Sequence, residues 1–210
     1  MSDNGQIQCA GLVLAGGGAV RLGGVDKAQI QIGDQTLLLR ATGILGQFAD
    51  AIAISGGPDP TGPEMHGYPV LKDVSPGGGP LAGIAAGLSW AAGEAFEWLA
   101  VIPVDTPFLD EAPYLRLIEK APGSPLLIAE TARPQWLASF WATRLAADAR
   151  QAAAGEDKSI AHFAKMIGGT KIAMPELAPM FDNINTPEDL AKARARAVRN
   201  SNQEPRSDNV

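Results

Sequence analysis

The chain has 210 residues, 46% of them hydrophobic and 19% charged, with a formal net charge of −6. That length supports one sizeable core, and no break in composition marks a second domain. No apolar run approaches the ~20 residues of a membrane span, and the acidic balance argues against a general nucleic-acid binder, which needs a basic field to hold phosphates.

Only His66, His162 and Cys9 are available as soft ligands, so no His/Cys cluster offers a zinc site. A serine hydrolase has no G-x-S-x-G to stand on. Cys9 has no partner for an internal disulfide, which fits a reducing compartment. Residues 1–8 read as an N-terminal extension with neither the basic start nor the apolar segment of a secretory signal, so a cytoplasmic location is expected.

Gly11 to Ala15 predicts a first strand, a short apolar run of the kind buried on both faces. It runs into Gly16-Gly17-Gly18, followed by Arg21, the pair Gly23-Gly24, and Lys27. Without Cβ atoms such a loop can turn its N–H groups inward and lie against a ligand. Arg21 can fork onto two phosphate oxygens, and Lys27 supplies a compact point charge. The stretch reads as a nucleoside triphosphate cradle; the alternative is a tight turn with solvated charges, which the two spaced cations and the second glycine pair disfavour. A dinucleotide fingerprint fails because Arg21 occupies the third glycine position. A Walker loop fails because Gly23 leads into Gly24-Val25-Asp26-Lys27. A polyanion held by an acidic protein must be held locally, which puts weight on Arg21, Lys27 and a divalent cation.

Apolar runs then alternate with helical patterns, the signature of an α/β domain with a mostly parallel sheet. Thr36 caps a helix presenting Leu37, Leu38, Ala41, Ile44, Leu45 and Phe48 to the core. Ala51–Ser55 and Pro69–Leu71 predict the next strands, the latter ending at Lys72-Asp73, with a flexible surface loop over 56–67. Ligands of open α/β sheets lie outside the carboxyl ends of the strands, so Ser55, Asp73 and the first glycine loop should share one crevice. A second glycine-rich stretch from Ser75 to Ile84, containing Gly79, opens a helix from Leu81 to about Ala92. Its N-terminus suits phosphate, base or ribose oxygens. The strand Trp98–Val104 delivers Asp105 to the same end, where a Mg²⁺ ligand is favoured over a plain turn cap.

A helix over 113–120 and strands over 125–129 and 133–141 follow. Trp141 reads as core, while Trp136 either packs or lines a substrate face. An alanine-rich helix spans 144–154, and a break over 155–159 precedes a short helix with His162, read as packed or surface histidine. Thr186-Pro187-Glu188-Asp189 specifies a helix start, the helix running to about Arg199. Asn183 and Asn185 alternate before it and would point the same way, as two amides that hold a substrate. Residues 200–210 read as a disordered tail after a domain over 9–199.

The stretch L-A-G-G-G-x-x-R-L-G-G-x-D-K resembles the nucleotidyltransferase signature L-A-G-G-x-x-x-R-M-G-x-D-K, and within it the molybdenum cofactor guanylyltransferases, with Leu22 in place of Met. The segments G-P-L-A-G from Gly79, V-P-V-D-T-P around Asp105, with Val104 where Cys is often found, and N-I-N-T-P from Asn183 recur in order, so the resemblance spans residues 9–199. It implies a single-domain Rossmann-like three-layer α/β/α sandwich of the nucleotide-diphospho-sugar transferase kind. It also implies GMP transfer from GTP to the terminal phosphate of molybdenum-bound molybdopterin, with Mg²⁺ as cofactor and pyrophosphate released. By resemblance the backbone of Leu14, Ala15 and Gly16 lies against guanine or ribose, with Gly17 part of the same nucleotide-binding loop, Lys27 and Asp73 contact GTP, Asp105 holds the metal, and Asn183 and Asn185 line the crevice. Trp136 could meet the pterin ring, and Lys158 an anionic group of the molybdopterin. Ser55 stands where the family often has Asn and reaches less far, which bears on base selectivity. Implied partners are GTP and molybdopterin, with molybdoenzyme-specific chaperones or upstream cofactor-biosynthesis proteins, and neither nucleic acid nor membrane. Two other readings stay open: a related nucleotidyltransferase using CTP or a sugar phosphate, and a non-catalytic nucleotide- or cofactor-binding carrier on the same fold.

Overall fold

The computed structural model describes residues 7–16, 26–56, 67–75 and 77–201. Gly17, Gly18, Arg21 and Gly23-Gly24 of the first glycine loop, most of the 56–67 loop, the first six residues and the tail beyond Ser201 lie outside the described residues.

The chain begins with strand β1 (Cys9–Leu14) and a small hairpin of β2 (Gln31–Ile32) and β3 (Gln35–Thr36), followed by helix α1 (Leu37–Leu45). Strands β4 (Ala51–Ser55) and β5 (Val70–Leu71) precede helix α2 (Gly79–Gly93) and strand β6 (Trp98–Pro103). Helix α3 (Ala112–Lys120) leads to β7 (Leu126–Glu130) and β8 (Pro134–Ala142), and then to α4 (Ala146–Ala154) and α5 (Ile160–Ile167). Strand β9 (Thr170–Ala173) and helix α6 (Pro187–Ser201) complete it.

Among the described residues seven strands form one sheet in the order β5-β4-β1-β6-β8-β7-β9. β1 pairs in parallel with both β4 and β6, whereas β8 runs antiparallel between β6 and β7. The reversal is local: β7 turns straight into β8, with Thr131 N–H donating to the Arg133 carbonyl at 3.1 Å. The mostly parallel sheet read from the sequence is therefore present, with one antiparallel strand inserted by a hairpin.

Alternation along β1 divides the core. Cys9 and Val13 pack with α1, α3 and α6, while Ala10, Leu12 and Leu14 pack with α2, α4 and α5, giving the three layers. Thr36 caps α1 as its side chain accepts from Leu39 N–H at 3.2 Å. Phe48, expected on that helix, lies just past it and stacks on Tyr114 at 5.3 Å between ring centroids. Burial pushes the Cys9 thiol up to about 12, with the Asp50 charge adding to the shift.

Three short strands, β2, β3 and β9, are not among the elements that the sequence pattern predicts. β9 is an edge strand, three of its four residues are exposed, and it carries no apolar run for pattern reading to find. Helix α2 starts at Gly79, two residues before its expected start, because Gly77 and Gly79 take φ of 68° and 62° and bend the chain early. Among the described residues no helix is long and apolar enough to cross a membrane.

Candidate active site

Asp26 caps a single 3₁₀ turn, Lys27–Gln29, its Oδ1 accepting from Ala28 N–H at 3.0 Å. That turn directs the Lys27 side chain inward. Lys27 is only 7% exposed, and its Nζ donates to Asp105 Oδ2 and to Asn185 Oδ1, each at 2.9 Å. A buried ammonium is costly unless its donors are matched, and here two oxygens match it.

The acceptors come from different parts of the fold. Asp105 sits two residues past the end of β6, and its carbonyl accepts from Ile184 N–H at 2.9 Å. Asn185 is fixed by the start of α6: Asp189 Oδ2 accepts from Asn185 N–H at 3.1 Å and Thr186 N–H at 2.9 Å, while Thr186 Oγ1 accepts from Asp189 N–H at 3.1 Å. This is a reciprocal cap, and the N–H of Asn185 and then the Thr186 hydroxyl hold the Asp189 carboxyl below its ordinary range. The Thr-Pro-Glu-Asp start thus does more than open a helix; it aims the amide that meets Lys27.

Asp105 Oδ1 is buried and has no hydrogen-bond partner among the described residues. A buried carboxylate oxygen left without a donor fits a cation ligand. No group of three His, Cys, Asp or Glu gathers as a metal cage among the described residues. That donor set suits Mg²⁺, which takes one or two carboxylates and fills its shell with phosphate oxygens and water, and it does not suit zinc.

The opposite wall is built by Ser55 at the end of β4 and Asp73 just beyond β5. Ser55 is 2% exposed, and its Oγ donates to Asp73 Oδ1 at 3.0 Å. Gly83 of α2 makes room for the pair, since a Cβ there would lie 2.4 Å from Ser55 Oγ and 3.3 Å from Asp73 Oδ1. Gly16 has a packing reason besides its expected approach to a ligand. Gly56, at φ of 64°, crosses it so closely that a Cβ on Gly56 would stand 2.7 Å from Gly16 Cα. Leu14 C=O accepts from Val104 N–H at 3.1 Å and Ala15 N–H donates to Ser55 C=O at 2.9 Å, so these two groups are already used by the strands.

Between the walls lies a cleft of about 210 Å³. Leu14, Gly16, Lys27, Ser55, Asp73, Gly79 and Asp105 line it, seven residues singled out in the sequence. Ala15 lies buried beneath, and Gly17 and Arg21 lie outside the described residues. Asn183 and Asn185 share the rim of an adjoining groove but differ in use: Asn185 accepts from Lys27, and Asn183 is exposed. Lys158 lies between α4 and α5 and does not line the cleft. His162 is a surface residue whose Nδ1 lies 3.4 Å from Asp157 Oδ2. Of the other lining residues, Gly83 closes the G-P-L-A-G segment of the second glycine-rich stretch and Gly56 follows the predicted strand ending at Ser55, whereas Leu137 carries no local signal, since it comes from the antiparallel strand β8.

The chain matches the family model described as a MobA-like NTP transferase domain over residues 11–168. A molybdenum cofactor guanylyltransferase of Cereibacter sphaeroides is 38% identical over 188 residues, covering 88% of this chain and 95% of that protein. Another, from Acidiphilium cryptum, is 35% identical over 197 residues, covering 93% and 98%. Molybdopterin-guanine dinucleotide biosynthesis protein A of Archaeoglobus fulgidus shares the fold, with a TM-score of 0.74 at 22% identity over 90% of this chain and 99% of that one. The matched family segment contains Lys27, Asp73 and Asp105 and stops before Asn185.

Proposed function

The chain belongs to the MobA-like NTP transferase family, and we propose that it moves GMP from GTP to the terminal phosphate of molybdenum-bound molybdopterin, releasing pyrophosphate and forming molybdopterin guanine dinucleotide. The observation that carries this reading is the Lys27 ammonium held between Asp105 and Asn185 at the edge of a glycine-walled cleft.

The chemistry asks little of the protein in proton transfer. An acceptor phosphate monoester has a second pKa near ~6 and is already largely a dianion at neutral pH. Its oxygen forms the new bond to the α-phosphorus of GTP as the bond to the bridging oxygen breaks, and the electron pair leaves with pyrophosphate. Lys27 meets the charge that builds on the phosphate oxygens, and Arg21 is assigned the same task from the glycine loop. A Mg²⁺ ion on Asp105 Oδ1 would neutralise further charge on the triphosphate. Gly79, at the uncapped start of α2, offers backbone N–H groups to the nucleotide. Asp73 is an acceptor facing a polyanion's cleft, so it serves the base or ribose end rather than the phosphates. The substrate-class assignment to GTP and molybdopterin is supported by the names of the relatives and by this arrangement of donors and acceptors.

The test is pyrophosphate release from GTP, CTP and ATP, each with Mg²⁺ and molybdenum-loaded molybdopterin. GTP is expected to be the preferred donor, with release dependent on the acceptor. A preference for CTP would overturn the guanylyl assignment, and tight GTP binding without turnover would make the protein a carrier.

A further inference from the structure

Strand β8 does not run straight past the cleft. Its register against β7 jumps from Ala129↔Gln135 to Ile128↔Ser139, which leaves Trp136, Leu137 and Ala138 out of the ladder as a bulge. Bulges re-aim side chains beside functional sites. This one is held from below: fully buried Ser139 donates through Oγ to the Trp136 carbonyl at 3.1 Å, and Trp141 Nε1 donates to Ser139 Oγ at 2.7 Å.

The bulge makes a partition. Leu137 and Pro103 line both the nucleotide cleft and a second pocket of about 340 Å³ on its other side. Trp136 lines the second pocket half-buried, with Lys171 Nζ 5.7 Å from its ring centroid. Arg133, exposed in the turn before β8, lines that pocket and also a third groove that includes Lys192 and Arg199. No ion pair involves Arg133 among the described residues.

We propose that the second pocket seats the planar heterocycle of the acceptor against Trp136, and that Arg133 receives negative charge carried by the acceptor beyond its reacting phosphate. This rests on the proposed function. An acceptor must bring its phosphate to the same phosphorus that the cleft holds, so its body lies across the residues common to both pockets, Pro103 and Leu137. A pocket of this volume matches a small-molecule site. An indole offers a flat apolar face to a ring, and a guanidinium with no carboxylate partner among the described residues offers its fork to an anion. Arg133 lines both grooves, so it can meet an anionic group of a ligand that extends from one to the other.

The experiment measures KM for acceptor and for GTP separately, by pyrophosphate release, in Arg133→Ala, Arg133→Lys, Trp136→Ala and Trp136→Phe. The alanine variants are expected to raise the acceptor KM about tenfold and to leave the GTP KM within about twofold, with lysine and phenylalanine restoring part of the loss. Added salt should raise the acceptor KM of the native protein more than that of Arg133→Ala. An unchanged acceptor KM in either alanine variant overturns the proposal, as it would if the third groove instead docks an acidic segment of another protein. An equal rise in GTP KM also overturns it. Binding of 6-hydroxymethylpterin phosphate, followed by pterin fluorescence without nucleotide, separates this proposal from the reaction itself. If the native protein releases no pyrophosphate with any acceptor, the functional reading fails. Pterin binding weakened by Trp136→Ala would still support the pocket, and absent binding to the native protein would overturn it.

Discussion

Lys27 and Asp105 stand 78 positions apart in the chain, yet Lys27 Nζ lies 2.9 Å from Asp105 Oδ2, with Asn185 completing the contact from 158 positions away. One ammonium therefore joins the glycine loop, the end of β6 and the start of α6.

Removing either partner should be felt in both turnover and stability. Lys27→Ala is expected to lower the rate of pyrophosphate release about 100-fold or more, the scale of losing one preorganised charge at a reacting phosphate. Asp105→Ala leaves a buried ammonium with one acceptor and should cost on the order of 3 kcal/mol in urea unfolding. The double variant should lose less stability than the sum of the two, because the second change removes the charge that the first left uncompensated. Strict additivity would show that the two side chains do not interact.

Gly83→Ala and Gly87→Ala form a matched pair. In an open helix each would stabilise by up to about 1 kcal/mol. Here the new Cβ atoms would lie 2.4 Å from Ser55 Oγ and 2.5 Å from Leu12 Cδ2. Both variants should melt earlier, by overpacking of about 1–3 kcal/mol. Only Gly83→Ala should also weaken GTP binding, since only it displaces the Ser55–Asp73 pair that lines the cleft. Equal GTP affinity in the two, measured by calorimetry, would remove Ser55 and Asp73 from the nucleotide site.

Ser139→Ala tests the bulge. It leaves the Trp141 N–H and the Trp136 carbonyl without their shared partner in a fully buried position, at a cost of about 1–3 kcal/mol. The expected signature is a lower melting temperature together with a higher acceptor KM and an unchanged GTP KM.

Asp189 links the cap of α6 to pH. Its carboxyl is held below its ordinary value of 3.8, first by the Asn185 N–H and then by the Thr186 hydroxyl. A depressed folded-state value contributes stability that is complete above pH 3.8 and is lost as pH falls further, through the folded-state value. The stability difference between the native protein and Asp189→Asn should therefore be constant near neutrality and shrink on acidification below that point. Thermal unfolding from neutral pH to about pH 3 reads this directly. Asp189→Asn should also slow turnover at neutral pH, because the cap positions Asn185 against Lys27.

The sequence by itself determined the elements whose signals are local. An apolar strand running into a glycine loop, a carboxylate delivered past a buried strand, and a Thr-Pro-Glu-Asp helix start are each written in fewer than about twenty consecutive residues, so Lys27, Asp73, Asp105 and the cap of α6 could be named from pattern alone. The tertiary structure decided what those residues do to one another. Asn185 is predicted as a substrate amide, and the fold also makes it an acceptor for Lys27, because the segment before α6 is tied to the end of β6 through the Ile184 N–H and the Asp105 carbonyl. Gly16 is predicted to approach a ligand, and the fold also makes it a crossing point with Gly56. Gly83 and Leu137 reach the cleft through helix packing and strand register, which depend on partners far along the chain. The bulge at Trp136–Ala138 is the extreme case: a register shift exists only between two strands, so no single stretch of residues encodes where Trp136 and Leu137 point.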